Sequence, residues 1–141
     1  MARGNHYLDH LSGVSLFTAC SKKELREVAK RAEDVEVRAG SVLCEEGKSG
    51  RQFFVIVSGS AKVTRKKRKV NELGPGDFFG ELSLLDQAPR SATVTATSDM
   101  EVVVLERRAF NDLLNDVPTL AFKVAAGLSR RLREADSKAL H

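Results

Sequence analysis

The segment Gly74-Pro75-Gly76-Asp77-Phe78-Phe79-Gly80-Glu81-Leu82-Ser83-Leu84-Leu85, continuing through Pro89-Arg90-Ser91-Ala92-Thr93-Val94, leaves this chain few ways to fold. Its glycines and Pro75 break it into turns. A short apolar turn, Leu82 to Leu85, lies between Gly80 and Pro89, and a β-branched run follows. These are the parts of an anion pocket. Backbone N–H groups at the start of a short helix point at an anion, and the helix dipole favours negative charge there. Gly80 lets the backbone approach with no Cβ in the way. Arg90 offers phosphate oxygens a two-pronged, permanently charged fork, and the hydroxyl and N–H of Ser91 add donors. Glu81 is the informative oddity, because a carboxylate beside a phosphate is repelled unless it accepts hydrogen bonds from the ligand. A ribose 2′-hydroxyl is such a donor. A phosphate cyclised onto its own ribose brings both groups within reach of one acid and one arginine.

Phe79-Gly80-Glu81-Leu82-Ser83-Leu84-Leu85 followed by Pro89-Arg90-Ser91-Ala92-Thr93-Val94 resembles the phosphate-binding cassette of the cyclic nucleotide-binding domain family. That family includes the bacterial catabolite activators and the regulatory subunits of cyclic-AMP-dependent kinase. The resemblance covers roughly residues 14 to 138. It implies a mainly β fold with flanking helices, an eight-stranded double-sheet jelly roll. The ligand-binding residues it implies are Phe79, Gly80, Glu81, Leu82, Ser83, Arg90, Ser91 and Ala92. Cyclic AMP is the implied ligand, with cyclic GMP left open: Ser91 follows the arginine as in catabolite activators. Those proteins read the adenine amino group with a Thr-Ser pair, where this chain carries Ala135 and Asp136. The resemblance further implies a regulatory sensor that signals by moving its C-terminal helices, 107–138, toward an effector domain or protein.

The chain of 141 residues is expected to form one domain, with helix and roll over 14–106, the cassette at 79–94 and helices over 107–138. Apolar residues at 42% and charged residues at 30% suit a globular protein. No window approaches the roughly eighteen apolar residues of a membrane span, and the N-terminus lacks a secretory signal. The expected location is cytoplasmic. Cys20 and Cys44 lie beside apolar residues and read as buried thiols. Much of the formal charge of +4 sits in Arg65-Lys66-Lys67-Arg68-Lys69, read as a solvated hairpin tip or a contact for an acidic partner or nucleic acid. No catalytic residues or metal site are expected. There is no nucleophile–base pair, and His6 and His10 lack a third ligand. Direct DNA binding by this chain is not expected, since the helix-turn-helix of the DNA-binding members has no counterpart before His141. The competing reading is a protein-interaction β-roll with a vestigial nucleotide pocket.

Along the chain, Ser21-Lys22-Lys23-Glu24 is a capping box. It opens a helix that ends near Arg31 or Ala32, with Leu25, Val28 and Ala29 on one face. Val35 and Val37 alternate with charges, and Phe53–Val57 is a strong β run. Ala61 and Val63 start its hairpin partner, and 93–96 and 101–105 complete the strands. Phe110, Leu113 and Leu114 share a helix face, and Pro118 suits the first turn of a last helix. Ala121, Ala125, Leu128, Leu132, Ala135 and Ala139 form a heptad seam for a homodimer through helix 118–138, or for a lid over the chain's own pocket.

Overall fold

Five consecutive apolar residues, Phe53 to Val57, rich in β-branched and aromatic side chains, suit a strand covered on both faces. The computed structural model describes residues 11–14, 17, 19–80 and 89–139, and it places that run at the heart of a sheet. The strands are β1 (Glu33–Val37), β2 (Val42–Cys44), β3 (Gln52–Ser58), β4 (Ala61–Arg65), β5 (Arg68–Leu73), β6 (Phe78–Phe79), β7 (Thr93–Ala96) and β8 (Met100–Glu106). They form two antiparallel four-stranded sheets, ordered β1-β8-β3-β6 and β2-β7-β4-β5. This is the double-sheet roll that the cassette implies.

Strand alternation sorts β3 into two faces. Phe54 and Ile56 join Cys44, Phe79, Ala61, Val94, Ala96, Met100, Val102 and Val104 in one apolar core. The Phe54 and Phe79 rings stack with centroids 4.7 Å apart and planes 15° apart. Phe53 and Val55 alternate to the other face and are also buried, Phe53 meeting the Phe78 ring at 5.6 Å. The register Phe54↔Phe79 and Val55↔Phe78 depends on the turn before it. Pro75 presets φ at the second position of that turn, and Gly76, at φ +90°, takes the left-handed third position that a side chain resists. The Gly76 N–H donates to Ile56 O at 2.8 Å, and the Ile56 N–H donates to Asp77 O at 2.9 Å. The turn is thereby pinned to β3.

The basic run divides differently from the expected tip. Arg68 and Lys69 already belong to β5, and the turn is Lys66-Lys67, at φ 52° and 66°. Two left-handed residues in a two-residue loop match the twist of the strands, although Asn-Gly is the usual choice. All five cations are exposed. The tip is tied down through Glu46, whose carboxylate accepts the Lys66 N–H at 2.9 Å.

The helices with described bounds are α1 (Lys22–Arg31), α2 (Arg107–Asp116) and α3 (Pro118–Ala139). The Cα framework divides into two compact units, 31–110 holding the sheets, and 1–30 with 111–141. In the helical unit Leu11, Val14, Phe17, Leu25, Val28, Leu113 and Leu120 are buried. The capping box forms as expected: the Ser21 N–H donates to Glu24 Oε1 at 2.8 Å, and the Glu24 N–H donates to Ser21 Oγ at 3.2 Å. Glu24 also accepts from Thr119 Oγ1 at 2.8 Å and Lys123 Nζ at 2.6 Å, tying α1 to α3. Those bonds lower its carboxyl pKa from 4.5 to about 2, Lys123 contributing most and the Ser21 N–H next. Cys44 is buried, but Cys20 is only half-buried. Burial, then the neighbouring Glu24 charge, raise the Cys20 thiol to about 11, so it stays protonated at neutral pH.

Candidate functional site

Gly80 ends β6 with φ +90°, a conformation that side chains resist, and it is crowded as well. A Cβ there would lie 2.5 Å from Gln52 O and 2.7 Å from Arg90 Nη1. Both demands require glycine, and together they bring the backbone against the arginine. Arg90 is 7% exposed, unusual for a charge unless it is hydrogen-bonded. Its main chain bonds to the loop between β2 and β3. The Arg90 N–H donates to Lys48 O at 2.8 Å, and Arg90 O accepts the Gly47 N–H at 2.9 Å. Its guanidinium donates through Nη2 to Gln52 O at 2.9 Å and through Nη1 to Gly80 O at 3.4 Å. Carbonyls hold the fork in place, and among the described residues no carboxylate pairs with it.

Around this cation the sequence-derived residues sort as follows. Phe79 is a core residue stacked on Phe54, so it anchors the chain entering the segment. Gly80 and Arg90 meet. Ser91 is exposed, and its carbonyl accepts Arg65 Nε at 3.3 Å; Ala92 is half-buried. Thr93 Oγ1 accepts the Glu46 N–H at 2.9 Å, so the hairpin tip and the chain leaving Arg90 share Glu46. Glu81, Leu82 and Ser83 lie outside the described residues, as do His6 and His10. The side chains of Ala135 and Asp136 are likewise outside the description. On the loop side of Arg90 a cleft of about 460 Å³ is lined by Lys48, Ser49, Gly50, Arg51 and Glu106 among others. Among the described residues no group of three His, Cys, Asp or Glu is placed to hold a metal ion. No helix among them is long and apolar enough to cross a membrane.

Sequence reasoning overlooked Gly50, Gln52 and Arg107. Gln52 acts through its carbonyl, which no side-chain pattern announces. Gly50 offered a faint signal, as the second glycine of Gly47-Lys48-Ser49-Gly50.

The two-sheet antiparallel roll with a buried arginine behind a glycine turn narrows the class, and comparison with known proteins names it. Residues 34–117 match the family described as cyclic nucleotide-binding domain, and the chain belongs to that family. It is 36% identical over 132 residues to a cAMP-dependent protein kinase regulatory subunit of Hypocrea atroviridis, covering 94% of this chain and 27% of the relative. It is 38% identical over 102 residues to the cyclic AMP receptor protein of Thermus thermophilus, covering 69% and 47%. The chain thus spans less than half the length of these relatives. Among solved structures, the regulatory domain of Toxoplasma gondii PKA in co-crystal with cAMP superposes with a TM-score of 0.75 at 29% identity, covering 89% of this chain and 50% of that one.

Proposed function

We propose that this chain is a cyclic AMP-binding regulatory module. In this reading the phosphate sits on Arg90, on the N–H groups of Gly80 to Ser83 and on Ser91, with the ribose on Glu81. Leu82 and Ala92 complete the pocket wall, and Phe79, stacked on Phe54, anchors the chain that leads into it. The observation that carries the proposal is Arg90, a guanidinium 7% exposed and seated on carbonyls. Charge-assisted hydrogen bonds are worth about 1.5–3 kcal/mol each. A few of them with base packing suit a micromolar constant, about −8 kcal/mol, once ordering costs are met. The relatives named for cyclic AMP and Ser91 after the arginine favour cyclic AMP over cyclic GMP. Binding without turnover is the function, and its output is a ligand-driven population shift of helices 107–138. The exposed Phe122 and Leu132, at 80% and 64%, give α3 an apolar face for a second copy of the chain. An effector domain or protein receives the signal.

Calorimetric titration with cyclic AMP and cyclic GMP tests the reading directly. Saturable binding is expected, tighter for cyclic AMP, and Arg90→Ala removes about 2–5 kcal/mol of it. Unchanged affinity in that variant, or no heat with either nucleotide, refutes the proposal.

A further inference from the structure

The seat of Arg90 is built from main chain, and one residue in it is glycine for want of room. A Cβ on Gly50 would stand 1.8 Å from Arg90 Nε and 2.2 Å from Cζ. No real Cβ comes so close to another heavy atom, so the guanidinium occupies the volume that any other residue's side chain would claim. Backbone conformation does not explain the glycine. Gly40, Gly47, Gly59, Gly76 and Gly80 have positive φ, and Gly50 does not. The peptide is fixed on its far side as well. Gly50 O accepts Arg107 Nη2 at 3.1 Å, and Arg51 O accepts the Arg107 N–H at 2.7 Å. Arg107 is the first residue of α2.

We propose that Gly50 is a positioning residue for the ligand arginine: its bare Cα is the floor on which the Arg90 guanidinium lies, and its carbonyl fixes that floor to the first residue of α2. The inference rests on the reading that Arg90 receives the nucleotide phosphate. A carboxylate in this place would hold the fork equally well but would compete with phosphate for its charge. Carbonyls on two sides and a bare backbone beneath hold it while leaving the charge for the ligand. Arginine is rich in rotamers, so a seat formed before the ligand arrives removes an ordering cost from binding.

Cyclic AMP affinities of wild type, Gly50→Ala, Arg90→Ala and the double variant, measured by calorimetry alongside urea unfolding, form the test. Gly50→Ala is expected to weaken binding at least about tenfold, and to add less than about threefold in the Arg90→Ala background. A merely structural glycine would weaken both backgrounds alike, and that additive result overturns the inference. So does wild-type affinity in Gly50→Ala while Arg90→Ala loses its binding. Should Arg90→Ala bind like wild type, the phosphate reading itself has failed and the inference falls with it. If Gly50→Ala does not fold, Arg107→Gln carries the same cycle, since it loosens the Gly50 carbonyl and keeps the main-chain bond to Arg51. A loss of about threefold or more, confined to the background with Arg90 intact, is then expected, and an equal loss in both backgrounds or none in either overturns the inference.

Discussion

Replacing Glu24 by glutamine removes one charge from the contact between α1 and α3 while keeping its shape. The carboxylate side chain is 9% exposed, and its partner Lys123 is 32% exposed at 2.6 Å. Lowering the carboxyl from 4.5 to about 2 corresponds to a ceiling of about 3 kcal/mol. Lys123 keeps part of its hydration and regains the rest in the variant, so solvent screening brings the expected loss to about 2 kcal/mol. For a chain of this length that is a fall in melting temperature of about 6–8 °C. The pH dependence carries a definite sign. The folded-state value lies below the unfolded one, so the stabilisation is complete above about pH 5 and disappears as pH falls toward 2. By about pH 3 more than half of it has gone. Thermal unfolding of wild type and Glu24→Gln between pH 3 and 8 should show a constant gap from 5 to 8 that closes toward acid. A gap absent at pH 7, or one that fails to close below pH 4, would refute the claim that this ion pair fastens α3 to α1.

Three further outcomes follow from named contacts. Phe54→Ala removes a ring stacked on Phe79 in the core between the sheets and should cost about 3–5 kcal/mol in urea unfolding. Lys67→Gly relieves a side chain held at φ 66° and should add about 1 kcal/mol of stability with no change in nucleotide affinity. If α3 carries the proposed contact with a second copy, wild type should sediment as a dimer and Phe122→Glu with Leu132→Glu, which puts charge on that exposed face, as a monomer; a monomeric wild type refutes the contact.

The turn from Gly74 into Phe78-Phe79 was legible because its demands are local. Proline fixes φ, glycine permits the left-handed turn at Gly76, and Phe78-Phe79 must enter the core in the register that turn sets. The capping box at Ser21 and Glu24 was legible for the same reason, as was the helix start at Pro118. The roll's strands could be read from alternation and from the unbroken Phe53–Val57 run, but the order of strands in each sheet could not. Cys20 read as buried from its neighbours and proved half-buried, since flanking residues do not fix where a loop residue points.

What the sequence by itself determined is therefore the short-range part: turns, caps, strand periodicity and the glycine–arginine signature of a family. Only the tertiary structure decided which carbonyls seat Arg90, why Gly50 lacks a side chain, and which residues of α3 meet Glu24. The physical reason is reach. Arg90 and Gln52 are separated by 38 residues and Glu24 and Lys123 by 99, so sheet and helix packing bring each pair together. In the first pair a main-chain oxygen does the accepting, and every residue carries one, so no pattern of side chains could have pointed to it.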